Sequence, residues 1–418
     1  MKGRKTTAFL LILPILLATV GCQRPTENVY KEVIETVKVD PTQVSGYGDS
    51  SSDTDSIDSE ESGVASDDST ESTNRYDVKP VKTLYVKDFG AKGDGVTDDG
   101  VAISEAIKAL YSCGEGSKLV FEKNKKYYVS GSVQTALELV ELKGITVEGD
   151  NTTILLDGTN GRSYLAVRRC ENVSVQGFNF DLKVRAHFVG TVIGTYNKDS
   201  NGDYIDIKAD RNFGNYDEYT YANKEGNNRH YGMVAYENGR TSRNYLMVYS
   251  MKALDKNAGT YRYYLDFNST MVANTEANAK SLKLNDKVIL PTPNLSHFDE
   301  NSVYIHNNSN CVLKNVNIWN SQSFVFSVRY NTGPITFDHV NTVPAPDESI
   351  NFCSWRDAYH CKANSDKIVW KSCTGSGTYD DTFNICSSVM YVSKVYKNNE
   401  VECIWQETNG SYDRTPVP

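Results

Sequence analysis

The sequence predicts an all-β fold in which short strands stack as the coils of a solenoid, and two observations carry that expectation. Apolar positions recur at fixed offsets: Val173, Val175, Phe178 and Phe180 are matched by Cys311, Leu313, Val316 and Ile318, and again by Ile335, Phe337, Val340 and Thr342. Ile368, Trp370 and Cys373 repeat the first three places, and Ile145 with Val147 repeats two. Each set alternates and then breaks, as a strand does on turning a corner. Apart from one long gap, neighbouring sets lie 24 to 33 residues apart, which suits one coil with variable loops. The second observation is a strand, a glycine loop and an amphipathic helix at 84–110, an element able to cover the exposed end of such a stack.

In chain order, residues 1–22 read as an export leader. Lys2, Arg4 and Lys5 precede an apolar run from Ala8 to Val20, too short for a confident membrane span of ~20 residues. Gly21-Cys22 closes the run and resembles the lipobox of bacterial lipoproteins, in which the cysteine is lipidated and becomes the mature N-terminus; Thr19 stands where that box usually has leucine. The resemblance implies a protein exported and lipid-anchored to the bacterial cell envelope, with Cys22 as the modified residue and no transmembrane helix required.

Residues 23–80 form the next segment. From Gly48 to Arg75 it is almost entirely Ser, Asp, Glu and Thr, too polar to offset the ~1–2 kcal/mol per residue that backbone ordering costs, and it reads as a flexible acidic tether. The tether also explains the charge. Of the 418-residue chain's net −9, residues 1–48 contribute +2, 49–74 contribute −9 and 75–418 only −2. A near-neutral folded part argues against a nucleic-acid binder with a broad basic face. The 27 tyrosines and 11 % aromatic content exclude disorder throughout, and 29 glycines are too few for collagen.

Residues 81–185 hold the strand–loop–helix element and the first coils. Leu84-Tyr85-Val86-Lys87-Asp88-Phe89-Gly90-Ala91-Lys92-Gly93-Asp94-Gly95 leads into Ile103, Ala106, Ile107 and Leu110, which share one helical face. Thr97 or Asp98 is the expected N-cap, and Asp98 with Asp99 reads as a helix-start pair rather than a catalytic one. The segment closely resembles the opening of secreted right-handed parallel β-helix proteins, the superfamily of polygalacturonases, pectate lyases and phage tailspikes, and implies that fold with this helix as its N-terminal cap. Residues 186–296, rich in Tyr, Asn, Asp and Gly, read as an inserted β-rich subdomain with strands near Tyr204–Ile207, Tyr245–Val248 and Lys287–Leu290.

Residues 297–418 carry the remaining coils and the chemistry. Cys353, Cys361, Cys373, Cys386 and Cys403 cluster there without zinc-type spacing; most are expected to be structural thiols, with one or two disulfides. Asp357 is followed 23 and 24 residues later by Asp380 and Asp381, one coil on. Equivalent positions of adjacent coils stack ~4.8 Å apart, so three carboxylates are expected on one surface. Carboxylates this close repel, and at least one is expected to hold its proton abnormally tightly, which is how a general acid and a base arise from one residue type. Glycoside hydrolysis needs such a pair: ~5–5.5 Å apart in retaining enzymes, ~6.5–9.5 Å in inverting ones.

Asp357-x-x-His360, one coil, then Asp380-Asp381-x-x-Asn384 resembles glycoside hydrolase family 110, inverting exo-acting α-1,3-galactosidases. The resemblance implies Asp357, Asp380 and Asp381 as catalytic acids and His360 and Asn384 as neighbouring substrate contacts, with Ala358 where the motif usually has glycine. Trp355 and Tyr379 flank the acids and fit either sugar stacking or packing; Asn384 also fits an asparagine ladder. The expected partner is an oligosaccharide or polysaccharide, with no metal and no other cofactor. Two rival functions remain. A polygalacturonase-like hydrolase would carry Gly-His-Gly and Arg-x-Lys after its paired acids, and residues 382–418 contain neither; a non-catalytic carbohydrate-binding or adhesive β-helix is favoured by a chain ending 37 residues after Asp381.

Overall fold

A computed structural model describes residues 79–157, 162–221, 230–235, 241–268, 273–293, 301–386, 390–396 and 400–405. The leader, Cys22 and the acidic tether up to residue 78 lie outside the described residues, as does the side chain of Cys403. By contact the chain divides into two units. Of the smaller, the described part is an antiparallel hairpin of Met390–Val395 and Val401–Trp405.

The larger unit is built on two parallel sheets, the arrangement of a parallel β-helix. One runs Thr83–Tyr85, Lys118–Val120, Thr146–Leu156, Glu171–Leu182, Ser309–Ile318, Ile335–Thr342 and Ile368–Lys371. The other runs Thr135–Val140, Ser163–Arg168, Val303–His306, Phe326–Arg329, Tyr359–Lys362 and Phe383–Cys386. The repeated offsets are the register itself: Val173 pairs Cys311, which pairs Ile335, and Val175, Leu313, Phe337 and Trp370 form the next row. Alternate residues of each strand point into the coil, so these rows fill one continuous core in which Val173, Cys311, Ile335 and Phe337 are buried. Aromatic rings continue the stacking, Tyr359 lying nearly parallel to Phe326 (4.9 Å, 8°) and Phe383 (5.2 Å, 9°).

Polar residues stack as well. Asn179 Nδ2 donates to Asn151 Oδ1 (2.9 Å), Asn317 to Asn179 (2.8 Å) and Asn341 to Asn317 (2.9 Å). A second ladder joins Asn308, Asn331 and Asn364 at 3.1 and 2.7 Å. Asn384 belongs to neither. The described cysteines Cys113, Cys170, Cys311, Cys353, Cys361, Cys373 and Cys386 form no disulfide, against the expectation of one or two; the first five are buried and Cys386 is exposed. Most lie along the coil interiors, where burial pushes the Cys361 thiol up to about 12.

The helix Gly100–Leu110 buries Ile103, Ala106, Ile107 and Leu110, the face read from the sequence, and packs on Thr135–Val140, Lys118–Val120 and Thr83–Tyr85 at the edges of both sheets. Its N-cap is Asp99, not Thr97 or Asp98, because both acids serve the neighbouring backbone. Asp99 accepts from the amides of Lys92 (2.6 Å) and Gly93 (3.0 Å), closing the glycine loop, while Asp98 accepts from those of Gly100 and Ser130, both at 3.0 Å.

Between the strands Glu171–Leu182 and Val303–His306 the chain forms a separate antiparallel sheet. Thr241–Asp255 pairs His230–Ala235, then Lys287–Pro291, His187–Asp199, Gly202–Ala209 and Thr260–Leu265 follow, and the last pairs Thr241–Asp255 again. These six strands therefore close as a barrel, and Glu218–Thr220 adds a seventh paired to the end of Thr241–Asp255. Phe188, Ile205, Ile207, Leu246, Val248 and Leu290 fill its interior. A buried ion network anchors its root to the loop before residue 350. The side chain of Glu348, only 1 % exposed, meets Arg185 (3.1 Å), His187 (3.2 Å) and Arg211 (2.9 Å). Burial opposes its charge, yet His187 and Arg211 hold the carboxyl down at about 2.

Candidate active site

The strand register carries the acid-bearing turns with it. Tyr359 pairs Phe326 on one side and Phe383 on the other. The amides just upstream keep the same step, Val325 donating to the Asp357 carbonyl and Ala358 to that of Asp381, each at 2.9 Å. Phe324, Asp357 and Asp381 thus occupy one column, and Ser323, Arg356 and Asp380 the next. One oxygen from each of Asp357, Asp380 and Asp381 lies within 4.8 Å of the others, the convergence predicted from a one-coil spacing. Among the described residues these are also the acids close enough together to share a divalent cation with oxygen ligands.

The three acids differ in surroundings. Asp357 is buried, 1 % exposed, and its Oδ2 lies 2.8 Å from His360 Nδ1. Asp380 and Asp381 are exposed. Arg356 Nε stands 3.8 Å from Asp380 Oδ2, while Asp381 has no cation at ion-pair distance among the described residues. Partial burial first, and then the Asp357 charge, raises the Asp380 carboxyl above the ordinary carboxylate range, with Arg356 pulling the other way. Asp381 is raised by the same two causes in the same order, opposed only by His360.

Of the predicted contacts, His360 is in the cluster, with its ring 4.4 Å from Phe324. Asn384 is half-buried, directly opposite His360 in the next strand. Trp355 is corrected from a sugar-stacking candidate to core: it is 0 % exposed, packs on Phe352 (4.7 Å) and donates its Nε1 to the Ala186 carbonyl (2.9 Å). An indole with no accessible face cannot meet a ligand. Tyr379 is half-buried, its ring held among Trp355 (5.9 Å), Tyr231 (5.0 Å) and Tyr245 (4.9 Å).

Two participants had no role assigned from the sequence. Arg356, immediately before Asp357, lays its guanidinium over Phe324 at 4.5 Å. Phe324 thereby joins the cation beside Asp380 to the imidazole beside Asp357. Its signal in the sequence was faint, because Phe324 precedes Asp357 by 33 residues while the next coil takes 24.

No family model matches the chain. In sequence it is similar to α-1,3-galactosidase B of Bacteroides thetaiotaomicron, 21 % identical over 353 residues that cover 77 % of this chain and 53 % of that protein. It is also similar to α-1,3-galactosidase A of Akkermansia muciniphila, 23 % identical over 261 residues covering 60 % of this chain and 40 % of that protein. The chain thus spans about half the length of these curated relatives, or less. Among solved structures, a mannuronan C-5 epimerase A-module from Azotobacter vinelandii matches with TM-score 0.31 and 13 % identity, covering 71 % of this chain and 57 % of that one. An exopolygalacturonase from Thermotoga maritima matches with TM-score 0.30 and 14 % identity, covering 74 % and 55 %.

Proposed function

We propose that the chain is an exo-acting glycoside hydrolase that removes terminal α-linked galactose from glycans, with the specificity of an α-1,3-galactosidase. The observation that carries this reading is the convergence of three carboxylates from two successive coils, two of them with raised proton affinity. The similarity to two α-1,3-galactosidases supplies the sugar and the linkage. The charge balance agrees. Three carboxylates face one guanidinium and one imidazole, a field that repels a uronate and tolerates a neutral sugar, which disfavours the polygalacturonase-like alternative.

In this mechanism Asp381, without a cation partner, holds the proton and gives it to the glycosidic oxygen as the bond from C1 breaks. Asp380, ionised beside Arg356, takes a proton from the water whose oxygen bonds C1. Asp357, fixed by His360, supplies the negative charge that keeps Asp381 protonated. The oxygens lie closer than the ~6.5–9.5 Å of an inverting pair. Asp381 is exposed and can turn outward about χ1 when a sugar and a water enter, whereas Asp357 is buried and Asp380 stays beside Arg356. The proposal therefore keeps the inverting outcome. It also places the enzyme at the bacterial cell envelope, lipid-anchored through Cys22.

Time-resolved NMR of an α-1,3-galactosyl oligosaccharide tests the reading, alongside a galacturonide. Galactose should appear first as the β-anomer, with Asp380→Asn inactive. First appearance of the α-anomer would show retention. Glycan binding without turnover, unaltered in Asp357→Asn, would favour the non-catalytic binding alternative.

A further inference from the structure

The barrel and the carboxylate site meet at Tyr379. Tyr231 lies on strand His230–Ala235 and Tyr245 on Thr241–Asp255, far from the acid segment in sequence. Their strands pair with Tyr231 opposite Met247 and Met233 opposite Tyr245, so all four side chains share one face. The other face, with Leu246 and Val248, fills the barrel interior. The shared face turns to the solenoid: Met233, with Ile289 and Val189 from neighbouring strands, is part of the solenoid's core, and Tyr231 and Tyr245 pack against that core. Both tyrosines close on the ring of Tyr379, at 5.0 and 4.9 Å.

Among the described residues, Tyr379 is held otherwise near its backbone and by Trp355. Its amide donates to the Ser354 carbonyl at 2.8 Å, and Trp355 stands 5.9 Å away on the remaining side. Its hydroxyl is buried and makes no hydrogen bond to any of the described residues. A desolvated hydroxyl without a partner gives the ring no polar anchor, so ring packing alone fixes the side chain. The next residue is Asp380, set beside Arg356 and the other two acids.

We propose that Tyr231 and Tyr245 are positioning residues of the carboxylate site: by clamping Tyr379 they hold Asp380 in place against Asp357 and Asp381, which makes the barrel a working wall of that site. The proposal deepens the hydrolytic reading of the cluster and rests on it, but the clamp has a signature that needs no turnover. The groups facing Asp380 are Asp357, Asp381 and Arg356 from the coils, with the phenols of Tyr379, Tyr231 and Tyr245 behind them. Withdrawing the two barrel rings admits water and loosens that arrangement.

The test is a titration of the unliganded full chain labelled with 13Cγ-aspartate, the Asp380 signal being identified by its loss in Asp380→Asn. The double variant Tyr231→Ala/Tyr245→Ala should move the Asp380 midpoint to lower pH, with Tyr231→Phe and Tyr245→Phe restoring it because the rings remain. If the double variant loses its fold, Tyr245→Leu, which keeps apolar volume, carries the same expectation. With an α-1,3-galactosyl substrate, kcat should fall about a hundredfold, the scale of a misplaced reacting group, with KM changed far less. A folded variant that keeps both the Asp380 midpoint and kcat overturns the clamp. Absence of sugar release by the unaltered protein overturns the proposed function and leaves the titration result to be judged alone.

Discussion

Replacing Asp357 with asparagine removes one charge from the cluster with little change of shape. Unit charges 4.8 Å apart repel by about 1 kcal/mol in a water-like surrounding and about 3.5 kcal/mol at an effective dielectric of ~20. The Asp380 side chain is 46 % exposed and Asp381 is also exposed, so solvent screening puts each interaction near the lower figure. Relief of about 1 kcal/mol weakens the proton affinity of Asp381 roughly fivefold. If Asp381 is the acid, the alkaline limb of the kcat/KM profile must move to lower pH. Stability responds in a linked way. A carboxylate whose proton affinity is raised by folding adds stability that is fully present below its unfolded pKa and is lost as pH rises through the folded one. The native protein should therefore lose stability from Asp380 and Asp381 as pH climbs above the ordinary carboxylate range. Asp357→Asn should lose less, being relatively more stable at pH 8 than at pH 5. Urea unfolding at the two pH values and a pH–rate series on one galactoside measure both effects. An alkaline limb that stays in place, together with a stability difference that does not change with pH, refutes the assignment of Asp357 as the charge that keeps Asp381 protonated.

Asp381→Asn should cost about 10²- to 10⁴-fold in kcat on a natural disaccharide and much less on a dinitrophenyl galactoside, whose leaving group needs no proton; equal losses on both would remove Asp381 from the acid role. Prolonged treatment with a chelator should leave turnover unchanged, since the proposed chemistry passes only through protons. Activity lost to the chelator and restored by a divalent cation would reassign the three carboxylates to a metal. Glu348→Gln should destabilise the fold by about 1–3 kcal/mol near neutral pH, because Arg185, His187 and Arg211 lose a shared buried carboxylate while Arg185 keeps Asp347 and Arg211 keeps Asp210. The carboxyl is depressed to about 2 from 4.5, so its contribution is present above the unfolded value and fades as pH falls toward the folded one. Chemical denaturation at pH 7 and pH 3 should show the gap between the two proteins narrowing at the lower pH.

How far the sequence disclosed this arrangement depends on the length of each coil. Between Asp357 and Asp381 the coil is 24 residues, and between Cys311 and Ile335 it is again 24, so the rows Cys311–Ile335 and Asp357–Asp381 were legible as a period. The asparagine ladder through Asn179, Asn317 and Asn341 follows the same offsets, between the third and fourth apolar rows, but asparagine is so common in turns that its recurrence alone does not mark a ladder. Trp355 and Tyr379 were ambiguous because a stacking ring and a core ring have the same composition. Only the barrel packed against them decides, and its closure rests on Thr260–Leu265 bonding both Gly202–Ala209 and Thr241–Asp255, a long-range choice with no local mark. Phe324 and Arg356 were obscured for a related reason. The chain detours between the two parallel sheets twice, through the barrel after residue 186 and, two coils on, through the loop at 344–351 that carries Glu348. Each detour separates neighbouring positions in sequence while the strands on either side keep them in register in space. A carboxylate's partner one coil away can be read from the sequence where no detour lengthens the intervening coil, and the coil from Asp357 to Asp381 is of that kind.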